Sequence, residues 1–141
     1  MRVILFLILV LSIQSSVAIT KEEAATLSPF IRNVTVVGKW QENEIEGYYR
    51  FVVSILDNGG FDNYQYQLFV QWINDDTNSP VATIEIKELV SERYSFSLPE
   101  CLNRICSEFK INASLMDKLG QDNTFTIRLS AIGKYSVIKR S

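Results

Sequence analysis

The stretch Tyr64-Gln65-Tyr66-Gln67-Leu68-Phe69-Val70-Gln71-Trp72-Ile73 decides the fold class. Tyr64, Tyr66, Leu68, Val70 and Trp72 alternate with Gln65, Gln67, Phe69 and Gln71. Successive side chains of a strand point to opposite faces, so this period of two gathers the apolar residues on one side and the glutamines on the other. One buried and one wet face is the pattern of an antiparallel sheet. Phe69 breaks it, because it stands between Gln67 and Gln71 on the polar side. An aromatic among amides suits an interface, so these three residues form the expected binding surface.

The same alternation recurs on both sides of this stretch. Tyr49, Phe51, Val53 and Ile55 oppose Arg50, Val52 and Ser54. Ala82, Ile84 and Ile86 oppose Thr83, Glu85 and Lys87, and Tyr94, Phe96 and Leu98 oppose Ser95 and Ser97. Phe109, Ile111 and Ala113 oppose Lys110 and Asn112, while Phe125, Ile127, Leu129 and Ala131 oppose Thr126, Arg128 and Ser130. Ile31 to Val37 sets Val34 and Val36 against Asn33 and Thr35, and Tyr135 to Ile138 reads as a short last strand. Asp57-Asn58-Gly59-Gly60 and the loop Asp75 to Pro80 punctuate the series with residues that tolerate turns. Seven or eight strands without a convincing long helix predict an all-β antiparallel sandwich. The expected core is Tyr49, Phe51, Val53, Tyr66, Leu68, Val70, Trp72, Ile84, Ile86, Phe125, Ile127 and Leu129. The segment from Val90 to Ser107 has no obvious place in a standard seven-strand scheme.

The N-terminus reads differently. Arg2 precedes a Val3 to Ile13 run broken only by Ser12, and Ser16-Val17-Ala18 supplies small residues for cleavage. These are the three parts of a secretory signal, and the run is shorter than the ~20 apolar residues of a membrane span. Residues 1–18 are the expected signal, 19–28 an arm, and 29–141 a single domain. The mature chain is then extracellular, with no further membrane insertion.

Secretion gives meaning to three short patterns. Cys101 and Cys106 are the only cysteines, and an oxidising compartment favours a bridge between them. Their C-x4-C spacing is not the C-x-x-C of redox enzymes. Such a bridge pins a local turn. Asn33-Val34-Thr35 and Asn112-Ala113-Ser114 are N-glycosylation sequons, whereas Asn78-Ser79-Pro80 does not fit the pattern, since its third residue is neither serine nor threonine.

The stretch from Leu119 to Ala131 resembles the E–F corner and F strand of a fibronectin type III domain. Six positions separate Leu119 from Phe125, and six more lead to Ala131. Gly133 to Ser136 matches the following turn, Pro29 to Val37 a proline-containing first strand, and Tyr64 to Trp72 the aromatic C strand. The resemblance implies an immunoglobulin-like sandwich. Phe125 stands where that family has tyrosine, so the hydroxyl bond of a tyrosine corner is impossible. Gly38-Lys39-Trp40 is similar to the G-x-W of lipocalins and avidins, which implies a small barrel carrying an apolar molecule.

Composition excludes much chemistry. The 141 residues contain no histidine, which removes imidazole bases and ligands. A net charge of −2 lacks the basic footprint of a nucleic-acid binder. Glu42, Glu44 and Glu46 read as a solvated loop, and Asp57, Asp62, Asp75 and Asp76 as turn formers without a calcium-loop pattern. The expectation is a secreted, N-glycosylated, non-catalytic module that binds an extracellular protein and needs no cofactor. The carrier is the alternative.

Overall fold

A computed structural model describes residues 30–57, 64–89, 94–115 and 122–140. The expected signal and arm lie outside the described residues, as do Asn58 to Gly60, Asp62 and Leu119. Nine strands are described: β1 (Ile31–Glu42), β2 (Ile45–Asp57), β3 (Tyr64–Asn74), β4 (Pro80–Glu85), β5 (Tyr94–Phe96), β6 (Glu100–Cys101), β7 (Glu108–Leu115), β8 (Asp122–Ala131) and β9 (Lys134–Arg140). A single 3-10 turn, Lys87–Leu89, accompanies them among the described residues.

The strands form two antiparallel sheets. The first is four-stranded in the order β1-β2-β3-β4. The second is five-stranded, with β5, β7, β8 and β9 in order and β6 also paired to β7. Their inner faces meet in one core. The Phe109 ring lies edge-on to Tyr49 at 5.5 Å and to Phe51 at 5.0 Å, joining β7 to β2 across the interface. Tyr66 of β3 meets Phe96 of β5 in the same way at 6.5 Å. Edge-to-face packing puts the positive ring edge on the negative face, which favours it over a flat stack. The molecule is a β-sandwich, and the two open sheets replace the closed barrel that Gly38-Lys39-Trp40 suggested.

Connectivity is two consecutive meanders. Each half of the chain builds its own sheet. An immunoglobulin-like sandwich instead deals its strands alternately between the sheets. The unplaced segment from Val90 to Ser107 supplies β5 and β6, which share β7 as their partner.

The core confirms most of the alternation. Tyr49, Phe51, Leu68, Val70, Trp72, Ile86, Phe125, Ile127 and Leu129 are buried. Val53 and Ile84 are only partly buried against them, and Tyr66 is half-buried at the sandwich's open side. Trp40, Leu89, Tyr94, Phe109, Ile111 and Ala113 complete the core.

β1 departs from simple alternation. Thr35 lies opposite Phe51 and Val37 opposite Tyr49, so these residues face inward. Val34 and Val36 therefore face outward, and are 51% and 58% exposed. Trp40 shares their parity yet is buried, because an extra residue enters the strand between Val37 and Lys39. Gly38 sits at that bulge with φ +61°, and a Cβ there would lie 2.3 Å from Cys106 Cβ. Only glycine satisfies both constraints.

The acidic run is also corrected. Glu42, Glu44 and Glu46 belong to a tight hairpin, with Glu42 paired to Ile45 around an Asn43-Glu44 turn. Asn43 adopts φ 56°, a conformation that asparagine tolerates.

Candidate interaction surface

Cross-strand register assembles the outer face of the first sheet. One row runs Val34–Val52–Phe69–Glu85, and the next runs Val36–Arg50–Gln71–Thr83. On the other side Ser54 lies opposite Gln67. Residues directly opposite one another sit about 5 Å apart, so Val34, Val52 and Phe69 form a continuous apolar stripe over three strands. Phe69 is half-buried in it, and exposed Val36 widens it at the β1 edge.

Polar ladders flank the stripe. Arg50 Nε donates to Gln71 Oε1 at 2.7 Å, and Gln71 Nε2 donates to Thr83 Oγ1 at 3.1 Å. Gln67 Nε2 donates to Glu85 Oε1 at 2.7 Å, and Ser54 Oγ donates to Gln67 Oε1 at 3.4 Å. Gln67 and Gln71 are thus brought beside Phe69, as the alternation predicts, but as anchored frames. Strands β5 and β6 belong to the opposite sheet. Val34, Val36 and Val52 were missed as surface residues. The parity of Val34 and Val36 is shared with Trp40, and only the Gly38 bulge, which resets the register before Trp40, separates them, whereas Val52 already stands on the polar side of its strand with Arg50 and Ser54.

A second feature opens between the sheets at one end. A cleft of about 1060 Å³ runs beneath Trp40, Tyr49, Trp72 and Leu129, with Arg104 and Arg128 among its lining residues. Trp40 Nε1 donates to the Tyr48 carbonyl at 3.0 Å, which fixes the indole. Glu42 Oε2 accepts the Ile132 N–H at 2.6 Å and clasps the β1–β2 hairpin to the β8–β9 turn. Burial holds the Tyr49 hydroxyl above its ordinary pKa, and the Glu42 carboxylate adds to the shift. Tyr135 is also raised, by desolvation first and then by its hydroxyl's 2.9 Å hydrogen bond to Glu88. No cluster of three histidine, cysteine, aspartate or glutamate side chains suited to a metal occurs among the described residues.

The other expected sites fall on the second sheet and on β1. Cys101 and Cys106 are bridged, with Cα atoms 5.0 Å apart. Asn103 organises their loop, its Oδ1 accepting the Ser107 N–H at 2.9 Å. The bridge is local, yet Cys106 also packs against Gly38 of the opposite sheet. Asn112 lies on the outer face of central strand β7 and accepts a 3.2 Å hydrogen bond from Thr124. Asn33 lies on β1 opposite Val53.

No helix among the described residues is long and apolar enough to cross a membrane. Comparison of the chain with family models, with curated proteins and with solved structures finds no match.

Proposed function

We propose that the chain is a secreted, N-glycosylated, non-catalytic β-sandwich module that binds an extracellular protein through the outer face of its first sheet. The observation that carries this reading is the Val34–Val52–Phe69 stripe with exposed Val36 beside it. A sheet face that only meets water gains nothing from such a stripe, whereas burying a side chain of this size against a partner is worth ~1.5–3 kcal/mol. The hydrogen-bonded ladders beside it suit a polar rim, since they hold their geometry before a partner arrives. Secretion is supported by the signal pattern and by the Cys101–Cys106 bridge. The absence of histidine and the oxidised cysteines leave no ready base or thiolate at neutral pH, which supports a non-catalytic role. The reading uses the sandwich alone. The likeness to fibronectin type III rests on residues from Leu119 to Ala131, and the consecutive meanders depart from that family's split.

A pull-down from extracellular fluid, run in parallel with the wild-type domain and Phe69→Ala, tests the proposal. A partner retained by wild type and lost by the variant, with the melting temperature nearly unchanged, supports it. Equal retention of every captured protein removes Phe69 from the site.

The cleft beneath Trp40 favours a second reading, carriage of a small molecule with an apolar body. Organic extraction of purified protein followed by mass spectrometry distinguishes the two. A stoichiometric small molecule favours the carrier.

A further inference from the structure

We propose that an N-glycan on Asn33 seats its first sugar in the apolar groove at the open side of the sandwich, closing the core where β1 and β5 part. The proposal rests on the secretory reading above, because glycan transfer occurs only on that route.

Four observations carry it. Register places Asn33 opposite Val53, so its side chain lies on the inner face of the first sheet, although the residue itself is exposed. Among the described residues β1 is the edge of its sheet and β5 pairs with β7 alone, so no described strand joins the two sheets on this flank. A groove of about 220 Å³ opens there, lined by Asn33, Val53, Tyr66, Phe96 and Leu98. Leu98 is 57% exposed, so this wall of the core is left to water.

The sequon's own chemistry fits the position. Thr35 Oγ1 donates to Asn33 Oδ1 at 2.9 Å, which steadies the carboxamide. Among the described residues no hydrogen bond engages Nδ2, the atom that carries a glycan. In the transfer, Nδ2 bonds to the anomeric carbon of a lipid-pyrophosphate-linked oligosaccharide. The pyrophosphate leaves with the bonding electron pair, and Nδ2 gives up one proton. Tyr66 and Phe96 line the groove, and the electron-rich face of an aromatic ring suits the C–H side of a pyranose, while the sugar's hydroxyls stay in water. The inward aim of Asn33 also keeps the glycan off the Val34–Val36 side, so the proposed docking face stays open. The second sequon offers no such seat, because Asn112 lies on an outer face beside Thr124 and Ser97.

The test uses the full chain made in glycosylating animal cells and recovered from the medium. Peptide mass mapping reads occupancy at Asn33 and Asn112. Hydroxyl-radical footprinting then reads the accessibility of Phe96 and Leu98 in three forms: intact, trimmed to the first N-acetylglucosamine, and fully deglycosylated. The expected result is protection in the intact and trimmed forms and a several-fold rise in labelling when the last sugar is removed. Asn33→Gln reproduces that rise, and Asn112→Gln leaves labelling unchanged. The enzymes act on the folded chain, so the result stands even where a variant folds poorly. An occupied Asn33 whose full removal leaves Phe96 and Leu98 labelling unchanged overturns the groove seat and spares the secretory reading. Secreted chain with a bare Asn33 has the same meaning. Chain retained inside the cell with both sequons bare overturns both.

Discussion

The two sheets share one core but turn unlike surfaces outward. The first shows Val34, Val36, Val52 and Phe69 between hydrogen-bonded ladders. The second shows Lys110, Asn112, Thr124, Arg128 and Ser136, and Ile138 is the one exposed large apolar residue on its described strands. Folding needs the inner faces and is indifferent to this contrast. The proposed docking face rests on this difference.

The largest effect is expected in the core, where both sheets should respond alike. Leu68 of the first sheet is 1% exposed and Ile127 of the second is 0% exposed. Truncating either to alanine is expected to cost ~2–5 kcal/mol in chemical denaturation, because the lost contacts leave a cavity. A marked loss at one and none at the other would mean that the sheets fold as separate units. Alkali tests the same core. A raised tyrosine pKa means that the folded chain holds its proton longer than the unfolded chain does. The stability that Tyr49 and Tyr135 contribute is full below about pH 10 and is lost as pH rises through their folded values. Ultraviolet titration should show these two ionising above the ordinary tyrosine range, with unfolding following.

The disulfide comes next. Replacing both Cys101 and Cys106 by serine opens only a short loop, so the chain-entropy expectation is ~2 kcal/mol. Because Cys106 sits against Gly38, hydrogen exchange should quicken at the β1 bulge as well as in the loop. Faster exchange confined to the loop would show that the bridge does not help join the sheets.

These regions also differ in how far the sequence revealed them. β3 and β8 were legible because each carries a run of alternating large apolar residues whose one parity fills the core, with Phe69 the exception in β3. β1 was not, since Val34, Val36 and Trp40 share one parity while the Gly38 bulge puts the valines outside and the tryptophan inside. A period of two separates the faces of a strand but does not say which is wet. Phe69 stood out because its strand is otherwise regular. The valines that complete its stripe come from neighbouring strands, and that adjacency exists only after pairing. The cleft and the groove were illegible for the same reason, each being walled by both halves of the chain.

A smaller stability effect is expected on the first outer face. Phe69 is half-buried between Val52 and the β4 edge, where cross-strand contacts are worth ~0.2–1 kcal/mol. Phe69→Ala should lower the melting point by no more than a few degrees. A drop as large as that of Leu68→Ala would make Phe69 part of the core and remove the distinction between that sheet's faces.

The smallest effect belongs to the second outer face. Arg128 Nε lies 2.8 Å from Glu108 Oε1, with side chains 53% and 29% exposed. Good geometry is offset there by the water and ions that both groups still meet. A double-mutant cycle with Arg128→Gln and Glu108→Gln should give a coupling of ~0.2–1 kcal/mol. It should shrink as salt is raised, because the pair lies within reach of screening ions. A coupling well above that range and insensitive to salt would mean that the pair is desolvated. The second sheet would then also have an outer face shaped by contact, and the contrast that singles out Val34, Val52 and Phe69 would lose its force.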